Sequence, residues 1–73
     1  MRSVKSQIIK AQCQAIDELA LSIMHGATLA KEHVAQGEIN IAISYMLEIA
    51  LQVETIKSLV DATIAIHRIV KEE

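Results

Sequence analysis

The chain has 73 residues, 52% of them apolar and 22% charged, with one aromatic residue, no proline and a net charge of −2. So short a chain makes one domain of marginal size that buries too little surface to be secure alone, so a partner surface is expected. Few glycines, no proline and a lone tyrosine leave out the turn signals and alternation of a β fold, whereas Ala, Ile, Leu, Glu, Gln and Lys abound, which predicts an all-α fold.

The pI of about 5.9 leaves no basic excess to neutralise a phosphate backbone, so nucleic acid is disfavoured as a partner. The longest stretch free of Asp, Glu, Lys and Arg is Leu19 to Ala30, twelve residues, and it contains Ser22, His25 and Gly26. A bilayer span needs ~20 apolar residues, so no membrane segment is expected. Arg2, Lys5 and Lys10 lie near the N-terminus, but Gln7, Gln12 and Gln14 interrupt any apolar run, which predicts a mature intracellular, cytoplasmic protein. The lone Cys13 cannot form an internal disulfide and fits a reducing compartment.

Apolar residues recur at helical spacing from Val4 through Ile8, Ile9, Ile16, Leu19, Ile23, Ala27, Ala30 and Val34, predicting a first helix over about residues 3–35. Gly26 opens a three-helix alternative, since a mid-helix glycine costs ~1 kcal/mol and Thr28 can cap a new helix. Ile23, Ala27, Ala30 and Val34 keep phase across it, which favours one continuous helix with Gly26 as a close-packing position. A turn over about 36–38 follows, with Gly37 suited to the left-handed conformation and Glu38 well placed at the start of the next helix. The second run, Ile39, Ala42, Met46, Ile49, Val53, Ile56, Val60, Ile64, predicts a helix over about 39–71. Two long helices joined by a short turn predict a single antiparallel hairpin domain spanning 1–73, each helix roughly 50 Å long.

Such a hairpin sets side by side residues whose numbers sum to about 75. At 100° per residue, Ala42, Ile49, Val53, Ile56, Val60 and Ile64 share one side of the second helix and are expected to line the intramolecular seam. Leu59, Ala62, Ile66, Ile69 and Val70 fall on another side and, with Ile8 and Ile9 at the open end, are expected to form an interface. A helix apolar on two faces needs a second chain, and pairing of two hairpins into a two-fold four-helix bundle is the simplest arrangement. The basic Arg2, Lys5 and Lys10 oppose their own helix dipole, and the hairpin sets them beside Glu72 and Glu73.

Chemistry is hard to assemble. Glu18, His25 and Glu32 lie seven apart, about 10.5 Å along the axis, too far to share an ion, and no metal-binding i,i+3 or i,i+4 pair involves His25, His33 or His67. His33 is expected to be exposed or capping, and His67 partly buried at the interface. Cys13 has no histidine within a turn to activate it and is expected to be a small buried hydrophobe. Tyr45 should pack its ring and keep its hydroxyl wet. No catalytic residues, cofactor or metal are expected, and the chain is not expected to be an enzyme.

Leu29-Ala30, then Gln36-Gly37-Glu38-Ile39, Ala42-Ile43 and Tyr45-Met46, is similar to a tetratricopeptide-type helical hairpin, with small residues where the helices approach. The similarity covers under a third of the chain, without a second copy or a proline terminator. The expected function is a homodimeric protein–protein interaction module acting as regulator, adaptor or inhibitor of a larger protein. The alternative is a chaperone or co-chaperone whose apolar open end covers a helical partner. A nucleic-acid-binding dimer using Arg2, Lys5 and Lys10 ranks third.

Overall fold

The computed structural model describes residues 3–71. Among them 91% are helical and none is in a strand. Helix α1 spans Val4–Ala35 and α2 spans Ile39–Ile69, so α2 ends two residues short of the expected 71, with Val70 in extended conformation as its C-cap. They pack antiparallel into a hairpin of 56 × 20 × 10 Å, one helix thick.

Local chemistry explains the boundaries. Ser3 takes an extended backbone and its Oγ accepts from the Ser6 amide at 3.0 Å, capping α1. The helix passes through Gly26 unbroken, and the Thr28 hydroxyl donates to the Met24 carbonyl at 3.1 Å instead of starting a new helix. At the far end Gly37 adopts φ 80°, its amide donates to the Val34 carbonyl at 3.0 Å and the Glu38 amide donates to the His33 carbonyl at 2.8 Å. That paired pattern closes α1 on a left-handed glycine. The apolar contact that usually accompanies it is replaced by a polar one, His33 Nδ1 to Glu38 Oε1 at 3.0 Å.

The register matches the expected sum: Gly26 faces Ile49, and the Thr63 hydroxyl donates to Gln12 Oε1 at 2.6 Å. Phase is where expectation and structure part. The half-buried and buried residues of α2 are Ala42, Tyr45, Ile49, Gln52, Ile56, Leu59, Thr63 and Ile66. Those of α1 include Lys5, Ile9, Gln12, Ile16, Leu19, Ile23, Gly26, Ala30 and His33. Both rows alternate steps of three and four, the heptad spacing of a two-stranded coiled coil. Val53, Val60 and Ile64, expected in the seam, are instead 51%, 38% and 43% exposed. The cause is the ~20° per heptad by which a straight helix drifts from a heptad row. The straight-helix row and the true seam share Ala42, Ile49 and Ile56, then separate by about one residue.

Polar layers fix this register. Besides Gln12 with Thr63, Gln52 Nε2 donates to Ser22 Oγ at 2.7 Å, and the buried Lys5 donates from Nζ to the His67 carbonyl at 3.1 Å. Sliding one helix by a turn would separate all of these partners at once. Lys5 therefore meets the end of α2 through its last carbonyls, while the expected neighbours Arg2, Glu72 and Glu73 lie outside the described residues.

Candidate interaction surface

The seam leaves much apolar surface uncovered. Among the described residues Ala30 and Ala42 are the buried hydrophobics, and no large side chain is fully buried. One step round α2 from the seam lies a second row at heptad spacing: Ile39, Ile43, Met46, Ala50, Val53, Lys57, Val60, Ile64, all exposed. Lys57 is its single charge. Helix α2 thus carries two heptad rows about 100° apart, of which the hairpin covers one.

Antiparallel pairing decides what lies beside that second row. On one side of the seam Ser22, His25 and Leu29 of α1 and Glu48 of α2 line a shallow dimple of about 80 Å³, floored by Gly26, Ile49 and Gln52. On the opposite side, next to Met46, Val53 and Val60, stand Cys13, Ala20, Ala27 and Val34 of α1. This side is a continuous apolar face with large side chains on α2 and mostly small ones on α1. Its outer edge on α1 is Lys10, Asp17, Met24 and Lys31. Cys13 is exposed there, contrary to its expected burial.

The expected interface residues divide between two environments. Ile9, Leu59 and Ile66 are half-buried in the α1–α2 seam, the two α2 residues for the drift already described. Ile8 (42% exposed), Ile69 (77%), Val70 (45%) and the exposed Ala62 remain uncovered at the open end, with Ile8, Ala62 and Ile69 on the dimple side. The residues that the straight-helix phase hides, Val53, Val60 and Ile64, are those the structure lays open. Reading α2 at a 3.5-residue period instead of 3.6 would have found both rows.

The histidines have separate roles. His33 is half-buried, bonded to Glu38 and stacked on Tyr45 with ring centroids 5.7 Å apart and planes at 19°. His67 is exposed as a side chain rather than partly buried, and acts through its carbonyl. Glu18, His25 and Glu32 are exposed on α1, and among the described residues no group of three His, Cys, Asp or Glu gathers to hold a metal.

By length and composition α2 is long and apolar enough to cross a membrane, with an 18-residue window of mean hydropathy 1.3 that is 6% buried in the hairpin. This departs from the twelve-residue reading because Glu48, Glu54 and other charges only punctuate a long apolar helix. Comparison with protein-family models, curated proteins and solved structures gives no match.

Proposed function

We propose that the chain is a non-enzymatic protein–protein interaction module, a helical hairpin that associates with itself and acts as regulator, adaptor or inhibitor of a larger protein. The observation that carries this reading is surface area. The hairpin exposes 5636 Å², whereas a compact monomer of 8.0 kDa exposes about 4,450 Å². The excess of roughly 1,200 Å² exceeds the ~800 Å² that each partner commits to an interface of ordinary size. Its composition, isoleucine, valine and methionine in a heptad row, suits a helical partner.

We place the module in the cytoplasm, covered by protein rather than lipid. Glu48 and Glu54 stand within the stretch of α2 apolar enough to span, Glu48 near its centre, and a charge at a bilayer centre costs on the order of 2.5–3.5 kcal/mol. The second reading, a chaperone that covers an amphipathic helix of another protein, is favoured by the length of the open row from Ile39 to Ile64. Light scattering after size exclusion, with melts at two concentrations, tests the two. A stable dimer whose melt rises with concentration supports the first reading. A monomer or aggregate that becomes soluble on co-expression with a helical partner supports the second, and a monodisperse stable monomer with a concentration-independent melt removes both.

A further inference from the structure

We infer that the apolar face formed by Met46, Val53 and Val60 with Ala20 and Ala27 is covered by a second copy of this chain, related by a two-fold axis parallel to the helices. In that arrangement both turns lie at the same end, and α2 of each copy rests on α1 of the other. Asp17 of one copy then meets Lys57 of the second. The inference rests on the interaction-module reading and adds the face, the symmetry and the register.

Shape selects the axis. A two-fold between two face-to-face hairpins must lie in the plane of contact, either along the helices or across them. The first choice sets the large residues of α2 on the small residues of α1: Val53 falls level with Ala20 and Met46 with Ala27, by the same sum of about 75 that holds within the hairpin. The second stacks α2 on α2 and α1 on α1, so alanines face alanines and, at full overlap, Lys57 faces the row around Ala50. Close packing without voids favours large on small.

Charge agrees with shape. Lys57 is the one charge inside the open row, and Asp17 edges the same face on α1 at the matching level. Neither is engaged in an ion pair among the described residues. A two-fold along the helices brings them together twice, once in each symmetry-related half, so the one charge inside the open row meets a counter-charge at its level. The excess area described above is large enough for a second copy to cover one face.

The test is a charge-reversal cycle on the full chain: wild type, Asp17→Lys, Lys57→Asp and the double variant, with dimer dissociation constants from light scattering and helicity from circular dichroism. Lys57→Asp also stands near Glu54 and Asp61 on its own helix, so the reading comes from the sign of the Asp17→Lys effect in the two backgrounds. Asp17→Lys is expected to raise the dissociation constant about tenfold in the wild type and to lower it about tenfold in the Lys57→Asp background. Cys13, exposed in the lone hairpin, is expected to react with iodoacetamide at least roughly tenfold more slowly in the dimer, because this face is buried. A dimer in which Asp17→Lys has the same sign in both backgrounds, or in which Cys13 stays fully reactive, overturns this arrangement and leaves the interaction-module reading standing. A wild-type chain that is monomeric overturns both.

Discussion

Across the left-handed Gly37, His33 Nδ1 and Glu38 Oε1 approach to 3.0 Å, so the turn is closed by a side-chain bond as well as by its backbone pattern. The His33 ring also stacks on Tyr45, tying the last turn of α1 to the second turn of α2. The backbone of Gly37 carries the greater demand. At φ 80° an added Cβ meets no atom within 4 Å, so the penalty of Gly37→Ala is conformational alone. It should cost about 1–2 kcal/mol. A thermal melt should show a drop on the order of 4–8 °C per kcal/mol. An unchanged melt would mean that the chain turns in some other conformation.

Gly26 should behave in the opposite way. It lies inside a continuous α1, and a Cβ there would sit 3.6 Å from Ile49 Cδ1 and Cγ1, an ordinary contact. Gly26→Ala should therefore stabilise by up to ~1 kcal/mol through helix propensity and a less flexible unfolded chain. The same melts check it, and a loss of stability would reveal a bend or a tighter approach of the helices.

The fold was legible because its signals are local. The periodic runs, the absence of any breaker between Ile39 and Ile69 and the Gln36-Gly37-Glu38 turn each act within a few residues, and the structure places the helix ends close to where they point. The surface was less legible because it depends on an angle that accumulates. Periods of 3.5 and 3.6 both select Ala42, Ile49 and Ile56, but where the seam takes Gln52, Leu59, Thr63 and Ile66 the straight-helix reading takes Val53, Val60 and Ile64. Only the partner helix, drawn round by its own heptad row, chooses between them. Gln12, Gln52 and Thr63 held the clue, since polar residues at seven- and four-residue steps from apolar ones are what a register-setting seam contains.

Those polar layers make a further prediction. Thr63 Oγ1 sits 2.6 Å from Gln12 Oε1, with the Leu59 carbonyl 2.8 Å away as its other acceptor. Thr63→Val should leave the Gln12 amide half-buried without its partner at a cost of ~1 kcal/mol. Replacing both residues, Gln12→Leu with Thr63→Val, should recover or exceed wild-type stability, since apolar groups of similar shape then fill the layer. Register should suffer instead: amide hydrogen exchange ought to become less uniform along the seam once alternative pairings are no longer penalised. A double variant as unstable as Thr63→Val would show that this layer contributes stability rather than specificity.

The last prediction separates Ile66 from Ile69, three residues apart and both expected from straight-helix phase to meet a second chain. The structure sets them in different surroundings. Ile66 is half-buried in the seam at the level of Ile9, between Thr63 bonded to Gln12 and the His67 carbonyl bonded to Lys5, whereas Ile69 is 77% exposed on the dimple side. Ile66→Glu would place a carboxylate against the apolar side of α1 without a partner, an uncompensated desolvation that should cost several kcal/mol. It should lower helicity and, because folding and association are linked, apparent mass as well. Ile69→Glu should stay within ~0.5 kcal/mol of wild type. That position also lies on the side of the hairpin away from Met46, Val53 and Val60, so dimerisation through those residues leaves it exposed. Circular dichroism and light scattering on both variants check the pair. If Ile69→Glu dissociates the assembly while Ile66→Glu keeps its helicity, the seam is drawn on the wrong residues and the association surface lies at the open end around Ile8, Ala62 and Ile69.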